Sequence, residues 1–228
     1  MKKRLFFGLI AFATIFLVPG CGAPPKEDNR ISEGVITYDA ELVDSSSPMA
    51  DMAPSKMTVK FKNNKTAVHM SAGMGFLTLM FISNPETKTF TQMLKLTGSP
   101  WKVVTQNAEE IQRENELFNL EIIPSNQTKI IAGYKCQKAR VHYKGGDPSD
   151  FDIYYTNELN IKNSNFANPY YKLDGVLMEY RVKKAGLEMQ FVATAVTKEE
   201  VEDAVFEIPP DHKVISLQDM NDIFLSLQ

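Results

Sequence analysis

The sequence predicts a mainly β domain, a large curved antiparallel sheet folded as a half-barrel and covered by two or three short helices, one of them C-terminal. Three observations carry this expectation: recurring period-two alternation of apolar and polar residues, turn signals between the alternating runs, and few segments with helix-opening chemistry. Successive side chains of a strand point to opposite faces, so alternation marks one buried and one wet face.

In chain order, strands are expected near 35–43, then where Met57, Val59 and Phe61 alternate with Thr58, Lys60 and Lys62, then near 66–71, 76–82, 88–94 and 102–105. Turn residues at Asn63-Asn64, Asn84-Pro85 and Gly98-Ser99-Pro100 separate them. Strands near 119–123 and 128–135 are divided by Pro124-Ser125-Asn126, and Ala139, Val141 and Tyr143 mark the next. A strand near 151–156 follows Gly145-Gly146-Asp147-Pro148. Val176, Met178, Tyr180 and Val182, then Leu187, Met189, Phe191, Ala193 and Ala195, read as two strands joined at Lys184-Ala185-Gly186. Asn107 with Glu110, and Ser216 with Asp219, have capping-box spacing and open the two expected helices, the second bearing Leu217, Met220, Ile223, Phe224 and Leu227. The run Phe76, Leu77, Leu79, Met80, Phe81 and Ile82 is nearly continuously apolar and needs cover on both faces.

Upstream of the sheet the chemistry changes. Lys2, Lys3 and Arg4 precede an apolar run from Leu5 to Val18 that ends at Pro19, Gly20 and Cys21, the layout of a cleaved signal peptide. Its length, about 14 residues, falls short of the roughly 20 that span a bilayer. Val18-Pro19-Gly20-Cys21 resembles the lipobox of bacterial lipoproteins, which implies cleavage before Cys21 and acylation of its thiol and amine. Each buried CH₂ contributes about 0.8 kcal/mol, so two or three chains anchor permanently. Gly22 to Arg30, with Pro24-Pro25, has almost nothing to bury. The expected organisation is therefore a signal peptide over 1–20, a lipidated tether over 21–33 and one domain over 34–228. Gly22 after the cysteine resembles the default for outer-membrane sorting, with the periplasmic or surface face left open.

Composition excludes several classes. The formal charge of −3 becomes more acidic once the three N-terminal cations are removed, which argues against nucleic acid. With Cys21 acylated, Cys136 is the one thiol left, so no intramolecular disulfide is expected. His69, His142 and His212 lie far apart without ligand spacing, so no metal site is expected. Cys136 sits in a strand pattern and reads as a small buried hydrophobe rather than a nucleophile. Asp150 and Asp152 read as a solvated face beside Phe151. No catalytic residue and no cofactor beyond the covalent lipid is expected.

Methionine is the unusual feature: Met49, Met52, Met57, Met70, Met74, Met80 and Met93 concentrate in one stretch of a chain with 11 methionines. Thioether side chains adapt to varied partners, but they also fill core gaps, and both readings stand. Met57, Phe61, Met70, Met74, Phe76, Met80, Met93, Met178, Met189 and Phe191 are the candidate cavity-lining residues.

Two further segments carry a family resemblance: Ile131-Ala132-Gly133-Tyr134-Lys135-Cys136, and Ala204-Val205-Phe206-Glu207-Ile208-Pro209 before Lys213-Val214-Ile215. With these the chain resembles the LolA, LolB and RseB-like group of envelope proteins, and within it a lipoprotein family of unknown function. The resemblance implies a half-barrel around a hydrophobic cavity with helices as a lid. The expected function is a non-enzymatic envelope lipoprotein binding an acyl chain or protein segment, with a partner in the envelope left open. The alternative is a scaffolding lipoprotein with a solid core.

Overall fold

The computed structural model describes residues 28–44, 53–144, 150–184 and 187–226. The signal peptide, Cys21, most of the tether, Met49, Met52, Asp147, the turn at Ala185-Gly186 and Leu227 lie outside the described residues.

The alternating segments form strands because each has one face to bury. The strands are β1 (Glu33–Leu42), β2 (Lys56–Lys62), β3 (Lys65–Ala72), β4 (Leu77–Asn84), β5 (Thr89–Leu96) and β6 (Trp101–Gln106). After helix α1 (Ala108–Leu117) come β7 (Leu120–Ile131), β8 (Tyr134–Tyr143), β9 (Phe151–Thr156), β10 (Val176–Lys184) and β11 (Leu187–Thr197), then β12 (His212–Val214) and helix α2 (Leu217–Ser226). All twelve strands belong to one open, curved sheet in the order β12-β6-β5-β4-β3-β2-β1-β11-β10-β9-β8-β7. Every pairing is antiparallel except the short parallel contact of β12 with β6. The fold is thus the mainly β half-barrel that the period-two pattern predicts.

Both capping boxes form. Asn107 accepts from the amides of Glu109 and Glu110 while Glu110 accepts from the Asn107 amide, satisfying donors that the first helical turn leaves free. Ser216 and Asp219 exchange the same pair of bonds at the start of α2.

Two expectations change along β7 and β8. Pro124-Ser125-Asn126 does not end a strand; β7 runs through it with a register shift between Pro124 and Thr128. β7 is the sheet edge, where a proline costs no ladder donor and extra residues can bulge outward. The strand expected over 128–135 instead breaks at Ala132 and Gly133, whose φ values of 48° and 86° make a tight hairpin turn. β12, only three residues long, was too short to show a period.

The continuous apolar run of β4 receives its two covers. Leu77 and Leu79 pack with Leu94, Val104 and Met220 of α2. Met80 and Ile82 face the other way, against Ala67, Met93, Val103 and the side chains of Val205 and Phe206. Those last two belong to a 3-10 turn, Asp203–Phe206, in the segment that leaves β11. This C-terminal segment therefore crosses one face of β3–β6, pairs along the β6 edge as β12, and returns over the opposite face as α2. Glu33 and Lys62 clamp its start: Val201 N donates to Glu33 Oε1 at 2.8 Å, and Lys62 Nζ donates to Val201 O at 2.8 Å.

Candidate functional site

The ten candidate cavity residues separate into three places. Met57, Phe61, Met70, Met178, Met189 and Phe191 join one buried cluster with Ile36, Tyr38, Ala40 and Cys136, contributed by β1, β2, β3, β8, β10 and β11. Tyr38 donates its hydroxyl to Leu177 O at 2.8 Å, and the Tyr180 ring stacks on Phe191 with centroids 5.2 Å apart. These six side chains are packed against one another, in the manner of core gap-fillers. Met80 and Met93 share the opposite face, beneath Val205 and Phe206. Met74 and Phe76 depart from the expectation altogether: both are exposed, at the β3–β4 turn, where Met74 has φ 54°. Gly73 and Gly75 flank it, and both also have positive φ, a region glycine adopts readily.

The reactive-thiol reading finds no support in the surroundings of Cys136. The residue is 0% exposed, and burial pushes its thiol up to about 11, so it is protonated at neutral pH. Its Sγ lies 3.4 Å from Tyr134 O. His142 instead bonds Asp150 at 2.6 Å, and His212 bonds Pro209 O at 2.7 Å. Asp152 pairs with Lys138 and Arg140, each at 2.7 Å, which holds its carboxyl below the usual range. Among the described residues no group of histidine, cysteine and acidic side chains could hold a metal ion. Also among them, no helix is long and apolar enough to cross a membrane.

The open space lies elsewhere, in the connection of residues 157–175 between β9 and β10. This segment has no helix or strand, and asparagine amides shape it instead. Asn165, buried, donates to Leu173 O at 3.0 Å and to Gly175 O at 2.8 Å, and Asn168 Oδ1 accepts from Tyr170 N at 2.8 Å. Tyr170 then anchors the segment to β10 by donating to Arg181 O at 2.5 Å. At Gly175, φ is +122° and an added Cβ would stand 2.5 Å from Asn157 Oδ1, so only glycine closes the loop.

Two clefts form around it. The larger, about 680 Å³, is bordered by Arg30, Asn157, Asn160, Lys162, Lys172 and Asp174 among others. The second, about 460 Å³, opens towards α1, Pro85 and Lys88. Asn163, Phe166 and Tyr171 line both. Arg30 is committed within the protein: its Nε and Nη2 donate to Asp28 at 2.8 and 2.6 Å, and its Nη1 donates to Asn157 O at 2.9 Å. That guanidinium holds the Asp28 carboxyl down at about 2. A third cleft, about 630 Å³, runs between β12 and α2. None of the ten methionine and phenylalanine candidates borders these three clefts. Period-two reading passes over 157–175 because the segment has no period; its density of asparagines, at 157, 160, 163, 165 and 168, is the signal that could have found it.

No family model matches the chain, and no curated protein sequence matches it. Among solved structures, lipoprotein LppX of Mycobacterium tuberculosis has a TM-score of 0.35 and 10% identity, over 75% of this chain and 89% of that one. Two crystal structures of PNGF-II, in space groups P21 and C2, give TM-scores of 0.57 and 0.56 at 16% identity. Each covers 86% of this chain and 34% or 33% of PNGF-II, so the chain spans about a third of that protein's length. The likeness to PNGF-II is one of fold.

Proposed function

We propose that the chain is a lipid-anchored protein of the bacterial envelope, non-enzymatic, whose domain binds an amphipathic ligand at the end where the tether enters. The observation that carries this reading is the pair of clefts sharing Phe166 and Tyr171, half-buried aromatic rings set among amide and ammonium groups. Concave sites of several hundred Å³ with apolar walls and a few placed polar groups are the usual form of small-ligand sites. The anchor rests on the lipobox-like segment ending at Cys21, and outer-membrane residence on Gly22. Arg30 borders the larger cleft and follows Cys21 by a linker reaching at most about 30 Å, so an acylated Cys21 keeps the clefts near the bilayer.

A fluorescent fatty-acid probe titrated into the full chain tests the binding. The parent is expected to bind and Tyr171→Ala to bind at least tenfold more weakly, with unchanged circular dichroism. For the anchor, Cys21→Ser is expected to abolish palmitate incorporation; undiminished labelling overturns it. A second reading, a scaffolding lipoprotein with a solid core, is favoured by the mutual packing of Met57, Phe61, Met70, Met178, Met189 and Phe191. It takes over if the folded parent binds no probe.

A further inference from the structure

The two adjoining clefts have a lining that discriminates among ligand chemistries. The larger cleft is edged by Asn157, Asn160, Asn163, Lys162, Lys172 and Asp174, groups that an acyl chain on the aromatic rings leaves to the polar part of a ligand. A phosphate site gathers its cations on one point. Here the Arg30 guanidinium is taken up by Asp28 and Asn157 O, Lys172 Nζ lies 5.2 Å from the Tyr171 ring centroid, and Asp174 stands among them. Lys162 and Lys172 are exposed at the rim, and the rest of the lining is a set of planar amides beside aromatic rings. Asn165 and Asn168 spend their amides on the loop's own backbone and on each other, which makes the wall rigid. Asn157 and Asn163, both exposed, and Asn160, half-exposed, have their side-chain amides directed to no hydrogen-bond partner among the described residues.

Each such amide offers a donor and an acceptor side by side, the complement of two neighbouring hydroxyls. An aromatic ring gives an apolar face to the C–H side of a pyranose, and Phe166 and Tyr171 stand where the two clefts meet. We propose that this double cleft is a saccharide site. In it Asn157, Asn160 and Asn163 read hydroxyl pairs, and Phe166 with Tyr171 forms the platform under the sugar ring. Deepening the amphipathic-ligand reading, this inference rests on it and names the ligand's polar part. The sugar's source is either a free oligosaccharide or the headgroup of a glycolipid in the bilayer beneath.

The test is saturation-transfer difference NMR on the full acylated chain in nanodiscs, with maltotetraose, cellotetraose and chitotetraose as probes. Saturation is expected on ring C–H protons of at least one tetrasaccharide. Its affinity should fall at least tenfold in Tyr171→Ala and at least threefold in Asn163→Gly, an exposed position whose φ of 52° glycine adopts without strain, and stay unchanged in the distant Met74→Ala. Repeating the titration with a glycosyl diacylglycerol in the nanodisc separates the sources: competition assigns the headgroup, undiminished signal the free sugar. Transfer to none of the three probes, or transfer insensitive to both cleft variants, overturns the saccharide site. If the fatty-acid probe is then still bound and lost in Tyr171→Ala, the amphipathic reading stands without it; if neither probe binds, both fall.

Discussion

Gln92 on β5 and Gln106 on β6 are both buried, and the Gln92 Nε2 donates to Gln106 Oε1 at 2.7 Å. Gln106 passes the chain on, its own Nε2 donating to Glu114 Oε2 of α1 at 2.9 Å, so one relay of amides ties the helix to the sheet. Gln106→Leu removes the acceptor of one buried amide and the donor to α1 together. The expected loss is about 1–3 kcal/mol in urea unfolding, the cost of stripping a buried polar group of a partner. Gln92→Leu/Gln106→Leu should lose less than the two single changes added, since neither amide is then left behind. Strict additivity would show that the pair does not act as a unit.

Gly34 on β1 is pressed against the neighbouring strand. An added Cβ would stand 2.2 Å from Thr197 O, a backbone atom that cannot swing aside, and φ there is +157°. Gly34→Ala is expected to unfold the domain or to lower its stability by several kcal/mol, among the larger effects of single substitutions. Gly98→Ala serves as its control: φ is also positive, but nothing lies within 4 Å, so the loss should be only about 1 kcal/mol. Similar midpoints for the two variants would refute the close approach.

Burial raises Cys136 from its ordinary 9.0 to about 11, and raises Tyr38, Tyr170 and Tyr180 above their usual range. Folding thus favours the protonated form of all four. Their contribution is fully present below the unfolded thiol's value of 9.0 and is lost as pH climbs towards 11 and beyond. Urea midpoints should be level up to about pH 8.5 and fall above it, with Cys136→Ala falling less steeply between pH 9 and 11. A thiol reagent at pH 8 should label Cys136 only after unfolding; rapid labelling of the folded chain would contradict the burial.

The connection 157–175 is held by few side chains, and they should be costly to remove. Asn165→Ala deletes donors to Leu173 O and Gly175 O, with an expected loss of about 1–3 kcal/mol. Tyr170→Phe keeps the ring in its cluster and removes only the hydroxyl bonded to Arg181 O, for about 1 kcal/mol. Hydrogen exchange should quicken at Tyr170 and Leu173 in the first variant. Unaltered exchange would mean the loop is held by something else.

Most strands were legible because burying one face imposes a period that survives in the residues, as in Met57, Val59 and Phe61. The two helices were legible from Asn107 with Glu110 and Ser216 with Asp219, because capping is local chemistry. What escaped reading depends on distant partners. Pro124 looks like a strand end until β7 is known to be the edge, and β12 exists only because β6 lies beside it. The methionines pointed to an adaptable apolar surface, yet the same flexibility packs Met57 and Met178 into the core, and residue type cannot separate the two uses. Asn157, Asn160 and Asn163 meet Phe166 and Tyr171 only through the loop's own irregular path.

The wrap of the C-terminal segment around the sheet edge sets an order of events during biogenesis. Ala67, Met80, Ile82 and Met93 are made early, but the side chains that shield them, Val205 and Phe206, and the helix that seals the opposite face, come last. A chain still emerging during synthesis therefore has the strands of its sheet without their covers and cannot complete its fold. The final segment is thus a latch, closing over both faces of β3–β6 only once the whole polypeptide is present.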